Sequence, residues 1–525
     1  MTTSQWHTHD IKIIAEKIAE KIENGEIEDK YELLKYKKFF SQEYGLKRIP
    51  SDAELLSFVE GEKREVVIKI LQRKPVRTIS GVAVVAVMTS PHPCPHGRCI
   101  PCPGGPPYSP QSYTGREPAA MRASRNNFDP FKQVKERLRQ LQIIGHPTDK
   151  IDMIVMGGTF PARDFAYQEW FVKRCYDAMN DREAKNLEEA KRFNKIAGHR
   201  CVGLTIETRP DWCGLVHVEK MLEMGATRVE IGAQILDDEV LYKMRRGHTV
   251  QDTIMATQIA RDAGLKICYH IMPGLPGSDY ENDLNSFKKM FRDERFKPDM
   301  LKIYPTLVVK PSILYEMWKR GEYRPLEEEE AVELIAEMKE NVPEWVRIQR
   351  IERDIPSNLI EAGIKKSNLR QIVRKRMEET GRKCRCIRCR EVGHLGIGSL
   401  EDFELKRREY LANGGRELFL SFENEESIAA YCRLRLPGAS YFFEENSAIV
   451  RELKVHGPMV EIGKRDREKW QHMGYGRLLM EEAERQAIRF KKEKLLVLSG
   501  VGAKEYYRKL GYRDRGFYME KDLTE

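Results

Sequence analysis

The sequence has no long hydrophobic run. Its longest apolar stretch is Val82–Met88, far short of the roughly 20 residues a membrane-spanning helix needs. The opening residues, Met-Thr-Thr-Ser-Gln-Trp-His, lack the basic-then-apolar pattern of a secretory signal. Internal repeats and low-complexity tracts are missing too. Cysteine is scarce, eleven in 525 residues, which argues against a disulfide framework. The expectation is a cytoplasmic protein with no membrane partner, no solenoid and no stapled secreted domain.

What is present fits a globular chain. A hydrophobic share of 41% and 525 residues allow two to four domains with buried cores. Charged residues reach 33% and the net charge is +9. The excess is local. Residues 364–390 carry eleven Lys and Arg against two acids, Glu378 and Glu379, an excess as large as that of the whole chain. A single-sign stretch points to a polyanion such as nucleic acid. A solvated helix face is the plain alternative, but few acids are interleaved. The candidate contacts are Lys365, Lys366, Arg370 and Arg374.

The periodicity divides the chain into four parts. Residues 1–75 read as helical, with Ile11, Ile14, Ile18 and Ile22 in one stripe. This part suits either an accessory RNA-binding module or a helical cap, and Arg73, Lys74 and Arg77 make its end basic. Residues 76–355 alternate strand-like runs with helical stretches. Six runs stand out: Val82–Met88, Ile151–Met156, Cys201–Ile206, Arg228–Gly232, Ile267–Ile271 and Leu301–Tyr304. That alternation predicts an α/β fold, a parallel sheet closed part-way into a (β/α)6 barrel. Residues 356–398 form a basic connector, and 399–525 read as a separate α+β domain with a helix from Gly476 to Arg489.

Six cysteines lie in two tight clusters. The first is Cys94-x4-Cys99-x2-Cys102, directly after the first strand. Three thiolates at this spacing hold three corners of an iron–sulfur cluster and leave the fourth open. Half of a zinc site, completed elsewhere, is the alternative. The second cluster could supply the other half, but three plus three ligands overfill one tetrahedral ion. Iron–sulfur is therefore favoured. An open iron can bind the amino and carboxylate groups of S-adenosylmethionine, as in radical SAM enzymes. Their usual CxxxCxxC is one residue shorter than the spacing here. Gly157, Gly158 and Thr159 after the second strand resemble that superfamily's glycine-rich turn. Glu207 and Arg209 after the third could meet ribose hydroxyls and carboxylate, or form a rim salt bridge.

The second cluster is Cys384-x-Cys386-x2-Cys389 in the connector. It suggests a structural zinc with a fourth ligand from elsewhere, His394 being the nearest candidate. The C-terminal part holds Gln471-His-Met-Gly474-Tyr475-Gly476-Arg477 before its helix, the Q/R-x-x-G-x-G/A pattern of GNAT acetyltransferases. Glycines there let backbone N–H groups approach the pyrophosphate of coenzyme A at a helix N-terminus. The preceding strand, through Glu452, Leu453, Lys454 and Val455, would pair with the pantetheine amides. Tyr506 and Tyr507 match the family's terminal aromatic pair, Tyr507 being placed to act as an acid towards the leaving thiolate. Core packing on the last helix is the alternative for both.

A radical SAM barrel followed by a GNAT domain resembles the catalytic subunit of the Elongator family in its archaeal or bacterial form. The matching words include Cys94–Gly105, Gln111–Gly115, Met156–Phe160, Ile206–Pro210, Arg246–Thr249, Tyr304–Thr306, Arg451–Leu453, Gly474–Glu482 and Ser499–Tyr512. They cover about residues 60–525. The resemblance implies an acyltransferase that carboxymethylates carbon 5 of the wobble uridine in the tRNA anticodon loop. It implies a 4Fe–4S cluster, S-adenosylmethionine as radical source, acetyl-CoA as carbon donor and an external electron donor. It places Lys150 against acetyl-CoA. Eukaryotic members lack this cysteine triplet, so zinc rests on the local spacing alone. A protein lysine acetyltransferase with a structural cluster and a non-catalytic tRNA-binding scaffold are the competing readings. Homodimer and stand-alone monomer both stay open.

Overall fold

The computed structural model describes residues 3–46, 48–72, 81–395, 403–456 and 474–524. These separate into two compact units, Met1–Ala83 with Lys135–Lys150, and Val84–Val134 with Ile151–Glu525. The basic residues 73–77 and Gln471 lie outside the described residues, as does the side chain of His394.

The first unit is helical at its start, with helices Thr3–Glu23, Lys30–Glu43, Asp52–Leu56 and Glu62–Leu71. Ile14, Ile18 and Ile22 of the expected stripe are buried with Leu33, Phe40, Leu55 and Val67. Each such side chain contributes about 1.5–3 kcal/mol on burial. Local chemistry sets the helix starts. Asp29 accepts hydrogen bonds from the N–H groups of Tyr31 and Glu32, and Ser51 with Glu54 forms a capping box.

Two large sheets organise the second unit. The strands of the first half are β1 (Val82–Met88), β2 (Lys150–Met156), β3 (Arg200–Thr208), β4 (Arg228–Gln234), β5 (Lys266–Ile271), β6 (Met300–Ile303), β7 (Val308–Val309), β8 (Arg347–Ile351) and β9 (Ile360–Ala362). The order is β1-β2-β3-β4-β5-β6-β8 in one sheet, with β3 through β8 pairing in parallel. Helices such as Pro130–Ile143, Phe165–Asn180 and Val250–Asp262 make the crossovers. All six expected strands form. A seventh, β8, joins the edge; its sequence Arg-Ile-Gln-Arg-Ile is too polar to read as a buried run. The connector contributes β9, which pairs with β7, and the helix Leu369–Glu379.

The remaining strands are β10 (Glu404–Ala412), β11 (Gly415–Glu423), β12 (Ile428–Leu436), β13 (Ser447–Val455), β14 (Lys494–Val497), β15 (Arg513–Arg515) and β16 (Tyr518–Asp522), with the helix Tyr475–Arg489. Their order is β10-β11-β12-β13-β14-β16-β15. Leu479, Met480, Ala483 and Ala487 of the helix pack on Leu434, Val450 and Leu495. The parallel pairing of β13 with β14 covers only Ser447–Val450 against Lys494–Val497. Among the described residues, β13 beyond Val450 pairs with β12 alone, and its register slips so that Arg451 is an extra residue between Val450 and Glu452. A bulge of this kind bends the strand away from its neighbour and leaves an open edge over Arg451–Val455.

Candidate functional site

The cysteine loop sits at the C-terminal ends of the barrel strands, where such barrels build their sites. Cys94, Cys99 and Cys102 are only 6–8% exposed, and they line one cavity with Gly158, Thr159, Glu207 and Arg246. Donors surround their sulfurs. Gln111 Nε2 lies 2.9 Å from Cys102 Sγ, His96 Nε2 is 3.1 Å from Cys99 Sγ, and Arg246 donates to Cys99 at 3.7 Å. The three sulfurs are not among the described groups gathered within 4.8 Å of one another. A single tetrahedral ion brings thiolates to about 3.8 Å apart, given Zn–S near 2.3 Å. The wider, donor-lined arrangement fits a larger bridged cluster. Gly157 and Gly158 are required by space: a Cβ on Gly157 would meet Thr89 Oγ1 at 2.0 Å, and one on Gly158 would meet the Gln111 carbonyl at 2.9 Å. Thr159 Oγ1 stands 3.7 Å from Cys94 Sγ.

Glu207 belongs to the end of β3 and accepts from Tyr113 Oη at 2.7 Å. Arg209 spends its fork on Asp211, at 2.8 Å for each bond, and donates to the Arg246 carbonyl at 2.8 Å. Below them lies a polar core that sequence reasoning missed. Glu230 is fully buried, paired with Lys302 and 2.7 Å from His270 Nε2. Burial pushes the Glu230 carboxyl up, but Lys302, His270 and Arg228 outweigh that and hold it well below the usual range. The signal for these residues was charge at period two inside apolar runs, as in Arg228-Val-Glu230-Ile.

The second site is the open edge of β13. Leu453 and Val455 turn towards the core under the helix Tyr475–Arg489, so Glu452 and Lys454 turn the other way. Gly474 ends the preceding loop in the left-handed region and the helix begins at Tyr475, whose ring packs 4.5 Å from that of Phe422. A Cβ on Gly476 would meet Tyr506 Oη at 2.7 Å and Val455 Cγ2 at 3.6 Å. The glycine, Val455 and the tyrosine thus converge on one slot. Tyr507 is buried, with Tyr506 edge-on at 5.2 Å. Burial raises the Tyr506 phenol to about 12 and the Tyr507 phenol further, so both stay protonated at neutral pH. Arg477 is exposed and pairs with Glu481 at 2.7 Å. Lys150 is the first residue of β2.

Charge holds the second sheet against the N-terminal ends of the barrel strands. Arg451 donates to both oxygens of Asp299 at 2.7 Å, to Glu417 at 2.7 Å and to the Leu265 carbonyl at 3.0 Å. Arg433 reaches Glu452 at 2.9 Å and Asp299 at 3.6 Å. Arg435 pairs with Asp262 and with Glu417 at 3.0 Å. With Arg261, 4.0 Å from Glu417, four arginines meet four carboxylates, of which Asp262, Asp299 and Glu417 are fully buried and Glu452 is half-buried.

In the connector, Cys384, Cys386 and Cys389 bring their sulfurs within 4.8 Å of one another, close enough for one tetrahedral ion. The expected scarcity of acids near the basic stretch does not survive folding. Lys366 pairs with Glu328, Arg376 and Arg382 with Glu333, Arg385 with Glu344 and Arg390 with Glu423. Those acids are distant in sequence. Arg374 pairs with Glu378 at 2.8 Å. Lys365 is exposed, whereas Arg370 is half-buried and donates to the Ile348 carbonyl at 3.2 Å.

Comparison with known proteins agrees with this geometry. Four family models match in order: the ELP3 N-terminal domain over residues 11–79, the radical SAM superfamily over 93–289, the radical SAM C-terminal domain over 298–379 and the acetyltransferase (GNAT) family over 390–512. The tRNA uridine(34) acetyltransferase of Methanocaldococcus jannaschii is 55% identical over 489 residues, 90% of each chain. Elongator complex protein 3 of Drosophila melanogaster is 42% identical over 534 residues, 98% of this chain and 97% of that one. The chain belongs to the Elongator complex protein 3 family. A solved structure of archaeal Elp3 from Methanocaldococcus infernus, lacking its N-terminus, superposes with a TM-score of 0.76 at 51% identity and covers 85% of this chain and all of that one. The chain thus combines a radical SAM partial barrel and a GNAT domain. The two superfamilies imply a 4Fe–4S cluster, S-adenosylmethionine and acetyl-CoA.

Proposed function

We propose that this protein modifies the wobble uridine of tRNA by joining a carboxymethyl group, drawn from acetyl-CoA, to carbon 5. The observation that carries the reading is the clamp of Arg451 on Asp299, which ties the open-edged strand of the GNAT domain to the same barrel that holds the cysteine loop. A bound cluster at Cys94, Cys99 and Cys102 would supply the electron that cleaves S-adenosylmethionine. Around it, Gly158 and Thr159 would present backbone to the methionine end, and Glu207 would orient ribose hydroxyls. Arg209, held by Asp211, would lend positive charge more than a free hand. In the GNAT domain, Glu452, Leu453, Lys454 and Val455 would pair with the pantetheine arm, and Gly474, Tyr475 and Gly476 would face the pyrophosphate together with Gln471 and Arg477. Tyr507, with Tyr506 beside it, would return a proton to the departing thiolate. Lys150 would meet acetyl-CoA.

The name of the archaeal relatives, tRNA uridine(34) acetyltransferase, supports the choice of acceptor. We assign tRNA contact to Lys365, Lys366 and Arg374, with Arg370 supporting them, and a zinc ion to Cys384, Cys386 and Cys389. We further propose a cytoplasmic location, an external electron donor and domain limits of 1–75, 76–355, 356–398 and 399–525. No helix among the described residues is long and apolar enough to cross a membrane. The test is anaerobic incubation of the cluster-loaded protein with tRNA, acetyl-CoA, S-adenosylmethionine and reductant, followed by nucleoside mass spectrometry. Carboxymethyluridine dependent on all four is expected, and its loss in Cys99→Ala. Acetyl transfer to histone peptides without tRNA would favour a protein acetyltransferase instead.

A further inference from the structure

The two sites lie at opposite ends of the same strands. The cysteine pocket opens at the strand ends of β3 to β6, lined by Glu207, His270 and Tyr304. The acyl slot abuts the strand starts, where Arg451 meets Asp299, just before β6, and the Leu265 carbonyl, just before β5. The six residues of β5 span on the order of 17 Å at about 3.3 Å per residue. Something must bring the acyl group across that distance.

The barrel interior has the wrong composition for a plug. Closed barrels of this type fill their axis with layers of branched apolar side chains. Here Glu207, Glu230 and His270 point into the pocket, and the period of two puts Asp152, Thr205, Arg228, Lys266 and Cys268 on the same inward face. The register lines up Thr205, Arg228 and Lys266 as one layer, and Glu207, Glu230 and Cys268 as the next. Three buried polar atoms in these layers make no hydrogen bond, Thr205 Oγ1, Arg228 Nε and Glu230 Oε1, and the last two meet each other only as an ion pair at 3.5 Å. Buried polar groups without a protein hydrogen bond are normally met by water or ligand. Both ends admit solvent, with the Asp152 side chain 23% exposed at the floor and that of His270 16% exposed at the top. Glu230, Cys268 and His270 come within 4.8 Å of one another as metal ligands would. The Lys302 ammonium, paired with Glu230, already supplies the cation there, so this is a polar wall and not a metal site.

We infer that the barrel interior is a solvated passage, and that the thioester end of the acyl carrier enters it from the floor to reach the cysteine pocket. This rests on the functional reading above. Glu452 and Lys454, half-buried on the barrel-facing side of β13, stand at its entrance, and Lys266 lies in the field of Glu452. The positive floor, Arg228 with Lys266, would attract a thioester carbonyl.

The test uses the full-length, cluster-loaded protein with Thr205→Phe, which blocks the floor layer. Acetyl-CoA affinity by calorimetry and reductant-driven cleavage of S-adenosylmethionine should each stay within about 3-fold of wild type. Modified uridine should fall at least 100-fold. Wild-type product formation by a folded Thr205→Phe protein would overturn the passage. A second measurement needs no variant. Chloroacetyl-CoA bound in the slot should alkylate Cys268: a sulfur–carbon bond forms, the carbon–chlorine bond breaks, chloride leaves and the thiol proton passes to solvent. Peptide mass spectrometry should find the adduct on Cys268, suppressed by excess acetyl-CoA. Burial raises the Cys268 thiol, so the labelling is slow and favoured by alkaline buffer. Prolonged labelling that spares Cys268 would overturn the passage. If wild type makes no modified uridine yet labels Cys268, the functional reading fails and the passage stands.

Discussion

His456 shows how one residue carries pH sensitivity. It follows β13, is buried, and places Nδ1 3.3 Å from Glu391, itself paired with Arg347. Burial lowers its pKa to about 3, against about 6.5 in an unfolded chain. The unfolded state therefore binds the extra proton between these values. The stability contribution is complete above about pH 6.5 and is lost as pH falls towards 3, a term of roughly several kcal/mol. His248, lowered by burial to about 2, acts with the same sign. Denaturant midpoints should fall from pH 7.5 to pH 5, and His456→Gln should flatten part of that slope. A variant profile parallel to wild type would show that His456 contributes nothing. Other single residues were readable beforehand. The glycines at the start of the helix Tyr475–Arg489 follow from the motif, and Gly476 faces Tyr506 as a close approach demands. His456 was not readable, because nothing local marks a histidine that burial will keep neutral.

At the scale of elements, the basic connector is the instructive case. Counted along the chain, residues 364–390 carry an excess of nine positive charges. In the fold, Glu328, Glu333, Glu344 and Glu423 answer many of them. The usable positive surface is correspondingly smaller. Each phosphate contact contributes about 0.9 to the slope of log affinity against log salt for duplex nucleic acid and about 0.7 for single strands. Replacing Lys365, Lys366 and Arg374 together by Gln should lower the tRNA slope by roughly two to three. Filter binding across a salt series reads this directly, and an unaltered slope would remove these residues from the RNA contact. The strands were legible because apolar runs and helical periods are local. The polar edge strand β8 and the short β7–β9 pair were not, since their pairing depends on partners some fifty residues away.

At the scale of the whole molecule, the two domains are not independent bodies joined by a linker. Arg433, Arg435 and Arg451 of the GNAT sheet are fully buried, and their carboxylate partners include Asp262 and Asp299 of the barrel. Removing one partner from a buried ion pair costs about 3–5 kcal/mol. Asp299→Asn in the full chain should lower unfolding free energy by that order. A fragment of residues 399–525 should lack cooperative unfolding by calorimetry and bind acetyl-CoA far more weakly than the full chain. A cooperative fragment with full affinity would show that the clamp is dispensable. The sequence by itself determined the chemical parts: the cysteine spacing, the glycine turns before a helix, the tyrosine pair and the alternation of strand and helix. These are set by neighbours within a few residues, so spacing reveals them. Only the tertiary structure decided that the open edge of β13 meets the floor of the barrel while the cysteine loop crowns its top, and that the axis between them is charged. Those facts depend on which distant carboxylate each buried arginine must find to avoid an unpaired charge.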